Sequence, residues 1–75
     1  MKNKNVVFVY SDNWAGMYVD GVLEYENHSI SSGDMFNVLG GHTHGYTFCD
    51  EVTADQSWMD QVEYLPSRLE DVKRA

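Results

Sequence analysis

Residues 17–25 have the sequence MYVDGVLEY, which is the pattern of a tight β-hairpin. Asp20 and Gly21 stand between two runs rich in β-branched and aromatic residues. An Asp-Gly pair suits the two-residue loops that join antiparallel strands. We therefore predict a hairpin here. Side chains alternate along a strand. We therefore expect Leu23 and Tyr25 on one face of the sheet, and Glu24 and Glu26 on the other.

Two further strands are predicted on either side of this hairpin. The run from Val6 to Tyr10 is continuously apolar, which favours a strand buried on both faces in the middle of a sheet. Tyr46, Phe48 and Val52 alternate with polar residues and predict another strand.

Two helices are predicted from capping patterns. Ser31 and Asp34 resemble a capping box, in which a serine oxygen accepts from a helix amide and the carboxylate suits the positive helix end. Thr53 and Gln56 have the same spacing and predict a second N-terminus with Thr53 as the N-cap. Pro66 should end the second helix, since the residue before proline disfavours helical angles.

The elements together predict a single α+β domain over residues 1–75, with an antiparallel sheet of about four strands and two short helices. Leu69 and Val72 predict one helical turn in the tail. The hydrophobic content of 43% excludes a disordered acidic tail, which lacks the apolar side chains needed to offset ordering entropy. A chain of 75 residues buries only about 60% of its surface. Two alternatives stay open, a monomer of modest stability or a homo-oligomer.

Charge defines the class of partner. The chain has a net charge of −7, and no lysine or arginine lies between Lys4 and Arg68. Such a surface repels nucleic acid and anionic membranes and attracts basic protein surfaces. We expect a host protein with a basic surface as partner, and no direct contact with nucleic acid or membrane. The carboxylates expected to bind it are Glu24, Glu26, Asp50, Glu51 and Asp55. The basic residues lie near the termini, where they would gather into one positive site if the ends met: Lys2, Lys4, Arg68, Lys73 and Arg74.

The segment from Asp12 to Leu23 has the sequence DNWAGMYVDGVL and is followed by His28-Ser29-Ile30. It resembles small bacteriophage and prophage proteins that share the pattern D-x-W-x-G-aliphatic-Y-V-D-G-x-L, then H-S-aliphatic and a short helix. Leu65-Pro66 resembles their usual ending. The resemblance implies a phage accessory protein, a group that includes inhibitors of host enzymes and of antiviral systems.

The sequence predicts a cytoplasmic location, in an infected bacterial host. The apolar run at residues 6–10 is shorter than the ~7 to 15 residues of a signal sequence, and nothing approaches the ~18 apolar residues of a membrane span. The single cysteine, Cys49, cannot form an internal disulfide and is expected as a small buried side chain.

No constellation predicts catalysis. His42 and His44 would point to the same side of a strand and could share a metal with Cys49, Asp50 or His28. Flanking glycines favour a solvated loop and no closing ligand pair has zinc-site spacing, so we expect no metal and no cofactor. Adjacent carboxylates are common in so acidic a chain, and no nucleophile has a partner base. We expect that the protein is not an enzyme.

Two functions follow as hypotheses. The first is a phage-encoded, non-enzymatic inhibitor of anti-defence or host-takeover type, which binds a basic, nucleic-acid-binding host protein by imitating the charge of a phosphate backbone. Reversing Glu24 and Glu26 to lysine should then weaken binding before it harms folding. The alternative is an oligomeric protein that sequesters a host nucleotide signal. Its ligand-binding residues would be Trp14, Tyr18, His28, Ser31 and Ser32.

Overall fold

The computed structural model describes residues 3–41 and 44–75. It contains four strands, two helices and one 3-10 turn, which confirms the predicted α+β class. In chain order they are β1 (Lys4–Tyr10), β2 (Ala15–Val19), β3 (Val22–Asn27), α1 (Ser32–Val38), β4 (Tyr46–Thr53), α2 (Gln56–Val62) and the 3-10 turn (Leu69–Asp71). None of the helices in the described ranges is long and apolar enough to cross a membrane.

The sheet is mixed, which corrects the expectation of an antiparallel sheet. Its strand order is β3-β2-β1-β4. β1 and β2 are antiparallel, as are β2 and β3, whereas β4 runs parallel to β1. The segment containing α1 carries the chain from the β3 edge to the far side of β1, and a crossover of this length joins parallel strands. Alternation in the sequence indicates a strand without indicating its direction.

β1 lies in the interior of the sheet with apolar side chains on both faces, as predicted. We call the two sides of the sheet the α1 face and the α2 face, after the helix that packs on each. Val6 is 0% exposed and packs on the α1 face, and Val9 is 1% exposed and packs on the α2 face. Each helix therefore covers its own face of the sheet. The buried cluster of the α1 face contains Val6, Met17, Val19 and Leu39, and that of the α2 face contains Val9, Tyr18, Val52, Ala54, Met59, Leu65 and Val72.

The predicted Asp20-Gly21 hairpin joins β2 and β3. Both turn residues have positive φ, 50° for Asp20 and 79° for Gly21, as the twist of a two-residue hairpin loop requires. The Asp20 carboxylate also accepts from the backbone N–H of Asn5 at 2.9 Å. The turn is therefore held to β1 as well as to its own strands.

β3 contains a bulge that corrects the predicted facing of its side chains. Tyr18 pairs with Leu23 while Met17 pairs with Tyr25, so Glu24 is an extra residue without an opposite partner. A bulge shifts the alternation by one residue. Leu23 consequently packs on the α2 face and Tyr25 on the α1 face, where one shared face was expected.

The N-terminus of α1 has the predicted capping box. The backbone N–H of Asp34 donates to the Ser31 hydroxyl oxygen at 3.1 Å, and the N–H of Ser31 donates to the Asp34 carboxylate at 3.0 Å. After the helix, Gly41 has a φ of 86° and donates its N–H to the carbonyl of Phe36 at 2.7 Å. Both ends of the helix are thus determined by nearby residues.

The N-cap of α2 is Asp55, so the predicted Thr53 cap is wrong. The Asp55 carboxylate accepts from the backbone N–H of Trp58 at 2.9 Å. Thr53 is the last residue of β4, paired with Tyr10, and its backbone is therefore committed to the sheet. α2 also ends at Val62, before Pro66 could end it, because the following residue adopts a positive φ.

The C-terminal segment crosses the α2 face and includes the predicted helical turn. It begins beside the outer edge of β3, where the N–H of Leu23 donates to the Ser67 carbonyl at 2.8 Å. It ends beside β4, where the N–H of Ala75 donates to the Thr53 carbonyl at 2.9 Å. Val72 is buried between these points. The segment therefore completes the core of the α2 face.

Candidate functional site

The exposed carboxylates of the predicted partner-binding set lie at opposite edges of the sheet. Glu24 is on β3, and Asp50 and Glu51 are on β4. Three strand spacings of about 4.8 Å separate these edges, which amounts to about 14 Å. The five predicted residues therefore do not form one continuous patch.

Two members of that set have structural partners within the fold. The Glu26 carboxylate accepts from the indole N–H of Trp14 at 2.8 Å and from the backbone N–H of Leu65 at 3.0 Å. Asp55 caps α2. Replacing Glu26 with lysine would leave both donors without their acceptor, so this reversal tests folding as much as binding.

Glu51 lies beside a group of aromatic side chains that are exposed or half-buried. The rings of Phe8 and Phe48 stack at 6.1 Å between centroids, and those of Phe8 and Tyr10 at 6.2 Å. Phe48 is 46% exposed and Tyr10 36% exposed. Glu51 pairs with Phe8 across the parallel strands, which places it on the same face. Burial, followed by the charge of Glu51, raises the pKa of the Tyr10 hydroxyl above its ordinary value.

We call Phe8, Tyr10, Phe48 and Glu51 the edge surface. Asp50 pairs with Val7, which packs on the α2 face, so the Asp50 side chain lies on the opposite face of β4. A bulge in β4 leaves Cys49 as the extra residue, because Val6 pairs with Phe48 and Val7 with Asp50. Cys49 is exposed as a result, so its predicted burial is wrong. Sequence reasoning identified Glu51 and missed the aromatic residues of this surface. Phe8 and Tyr10 lie in the continuous apolar run that predicted a strand buried on both faces, and Phe48 lies in the alternating pattern of β4.

A second candidate site is a cavity of about 400 Å³ between the hairpin side of the sheet and the end of α2. We call it the Trp14 cavity. Trp14, His28 and Tyr64 supply its aromatic rings, and Asp60 and Glu63 supply carboxylates. Sequence reasoning singled out Trp14 and His28, while the other three come from the α2 region and were missed. No local motif marks them.

The aromatic rings of the cavity hold one another in place. Trp14 meets His28 edge to face at 5.0 Å and Tyr64 at 5.8 Å. The bond from the Trp14 indole N–H to Glu26 fixes the ring in its plane. Trp14 is therefore a positioned wall of the cavity, half-buried rather than fully exposed.

The other predicted ligand-binding residues lie elsewhere. Tyr18 is 0% exposed, and its hydroxyl donates to the Pro66 carbonyl at 2.6 Å. Burial, followed by the charges of Glu26 and Asp71, raises the pKa of that hydroxyl. Ser31 caps α1, and Ser32 is the first residue of that helix. Of the five residues, the cavity brings together Trp14 and His28.

Two of the terminal basic residues do meet. Arg68 and Arg74 line a separate cavity of about 350 Å³, together with Asp20 and Glu70. Its charge is mixed, because its lining contains two carboxylates as well as the two guanidinium groups. Lys2 lies outside the described residues.

Within residues 3–41 and 44–75, no three histidine, cysteine, aspartate or glutamate side chains are grouped so as to hold a metal ion. His42, one half of the His42 and His44 pair, lies outside the described residues, as does Thr43.

Comparisons with known proteins give no relative: no family model matches the chain, and no curated protein or solved structure matches it significantly.

Proposed function

We propose that this chain is a non-enzymatic inhibitor, encoded by a bacteriophage, which acts in the cytoplasm of the infected bacterium. It binds a basic, nucleic-acid-binding host protein and occupies the surface that would otherwise contact phosphates. The observation that carries the proposal is the edge surface, where Glu51 adjoins three exposed or half-buried aromatic rings. The resemblance to phage accessory proteins supports the origin.

The composition of the edge surface suits a protein partner. Aromatic side chains are enriched in the centres of protein interfaces, where they supply most of the binding free energy. Carboxylates around such a centre raise the association rate with a basic surface and select against acidic partners. β4 is also an outer strand of the sheet, which gives an extended partner segment backbone groups to pair with.

The nucleotide-sequestering alternative receives less support. Trp14 and His28 line a cavity that could stack a base, but the charged residues that line the same cavity are Asp60 and Glu63. Carboxylates repel the phosphates of a nucleotide. The N-terminus of α1, which was to hold those phosphates, contributes no residue to the cavity lining.

The proposal is tested by capturing partners from a bacterial lysate on immobilised protein at rising salt. Binding that depends on charge should weaken steeply between ~0.05 M and ~1 M salt, because exposed charges are screened. Bound proteins are identified by mass spectrometry. Partners retained equally at low and near-molar salt would show that charge does not carry the interaction.

Two matched double variants locate the contact surface. D50K/E51K reverses two carboxylates of β4, of which Glu51 belongs to the edge surface, and E24K/E70K makes the same change in net charge with one substitution at the β3 edge and one in the tail. If the edge surface carries the contact, the first variant loses the partner and the second keeps most of it. The reverse pattern would move the interface to the β3 side. Far-ultraviolet circular dichroism confirms that both variants are folded.

A further inference from the structure

The Trp14 cavity combines aromatic walls with charges of one sign. Trp14, His28 and Tyr64 form rings around it, and Asp60 and Glu63 are the charged members of its lining, which includes no lysine or arginine. A volume of about 400 Å³ is near the lower end of the range for small-molecule sites. The cavity therefore has room for one flat, positively charged group.

The walls of the cavity are positioned before any ligand arrives. The Trp14 indole N–H is bonded to Glu26, whose same oxygen accepts from the backbone N–H of Leu65. His28 and Tyr64 each contact the Trp14 ring edge to face. A site whose side chains are already ordered loses less entropy on binding.

The negative charge of the cavity is not compensated by α2. Asp60 and Glu63 come from the last turn and the C-cap of this helix, where carbonyl groups carry a partial negative charge. The last turn of α2 contains no basic residue. One Asp60 oxygen accepts from the Gln56 side-chain amide at 2.8 Å, which orients the carboxylate. A cation from another molecule would be attracted at this place by both carboxylates and by the C-terminal end of α2.

We infer that the Trp14 cavity binds the guanidinium group of an arginine side chain of the partner protein. A planar guanidinium stacks on aromatic rings and donates two parallel hydrogen bonds to a carboxylate, which a lysine ammonium does not. The identity of the partner rests on the proposed function, whereas the chemistry of the cavity stands on its own residues. The cavity would add selectivity for arginine-rich surfaces to the general attraction of an acidic protein.

The inference is tested with small probes and nuclear magnetic resonance. N-acetyl-arginine methylamide is titrated into ¹⁵N-labelled protein, and N-acetyl-citrulline methylamide, its neutral analogue, serves as the matched probe. The Trp14 indole N–H resonance should shift and saturate with the arginine probe only. Trp58 packs against the core of the α2 face and is not in the cavity lining, so its indole provides an internal reference. Trp14→Phe assigns the two resonances.

A pair of double variants separates the cavity from the overall field. D60N/E63Q should weaken binding of the arginine probe about two- to thirtyfold, the range for losing two partly exposed ion pairs. E24Q/D50N removes the same charge outside the cavity and should leave the affinity within about twofold. Equal shifts with the citrulline probe, no shift of the Trp14 resonance, or equal weakening by both variants would each overturn the inference.

The outcomes also distinguish this inference from the proposed function. Salt-sensitive capture of a partner without binding of the arginine probe would refute the cavity site and leave the proposed function standing. Saturable binding of the arginine probe, with no salt-sensitive partner, would refute the proposed function and leave the cavity site.

Discussion

Replacement of Tyr18 by phenylalanine tests a polar contact made by a buried side chain of the α2 face. The Tyr18 ring is 0% exposed, and its hydroxyl donates to the Pro66 carbonyl at 2.6 Å. Phenylalanine keeps the ring and removes only this bond. We expect the free energy of unfolding at pH 7 to fall by about 1 kcal/mol, as for the loss of one intramolecular hydrogen bond. Urea unfolding followed by tryptophan fluorescence measures the change.

The same variant should alter the pH dependence of stability. Burial and the charges of Glu26 and Asp71 raise the pKa of the Tyr18 hydroxyl, so the native state keeps a proton that the unfolded chain loses above its ordinary pKa of about 10. The stabilisation that the protonated Tyr18 hydroxyl gives the native state is therefore complete below about pH 10. Above that pH it declines by up to about 1.4 kcal/mol per pH unit. The wild type should be more stable than Tyr18→Phe by about 1 kcal/mol at pH 7, and this difference in the free energy of unfolding should vanish at about pH 11.

Unfolding curves are measured from pH 7 to pH ~11.5 for the wild type, Tyr18→Phe and a control, Tyr64→Phe. Tyr64 is 64% exposed, so removal of its hydroxyl should change stability by less than about 0.5 kcal/mol at every pH. If the wild type and Tyr18→Phe differ by a constant amount across the whole range, the raised pKa of Tyr18 is refuted. If they do not differ at pH 7, the bond to Pro66 contributes nothing.

Two further predictions concern the helix cap and the packing of β2. Asp55→Ala should lower the free energy of unfolding by about 1 kcal/mol through loss of the α2 cap. Thr53→Ala should lower it by less. If thermal unfolding shows Thr53→Ala to be the more destabilising variant, Thr53 is the N-cap, as the sequence predicted. Gly16→Ala should cost about 1–3 kcal/mol, because an added Cβ would overlap the buried side chain of Leu65. In urea unfolding the double variant with Leu65→Ala should lose less than the sum of the single losses, and strict additivity would contradict this contact.

The elements predicted correctly are those whose determinants are neighbours in sequence. Asp20 and Gly21 adopt the positive φ angles that a two-residue loop requires, so the hairpin follows from the loop residues themselves. Ser31 and Asp34 satisfy each other's amides three residues apart. Residues 6–10 of β1 are all apolar, which favours burial on both faces, and Val6 and Val9 are buried on opposite faces.

The wrong predictions involve the pairing of strands. Thr53 has the spacing of an N-cap, but pairing with Tyr10 keeps it in β4. Leu23 and Tyr25 alternate in sequence and still face opposite sides, because the β2 pairing leaves Glu24 without a partner. The alternation of side chains along one segment does not indicate the register in which that segment pairs with another.

The candidate sites divide in the same way. Glu51 was expected at a surface because acidic side chains avoid burial, but its proximity to Phe8 and Tyr10 depends on the parallel pairing of β4 with β1. Trp14 and His28 were placed together from sequence, and Tyr64 reaches them only through the packing of α2 against the sheet.

The sequence by itself determined the acidic charge, the hairpin, the capping box of α1 and the α+β class, because these depend on composition and on residues within a few positions of one another. The tertiary structure decided the direction of β4, the two bulges, the exposed aromatic rings and the Trp14 cavity. The bulge in β3 arises from the register of its pairing with β2, and the others arise where segments more than about ten residues apart pack together. Packing is selected by the free energy of the whole core rather than by any local pattern.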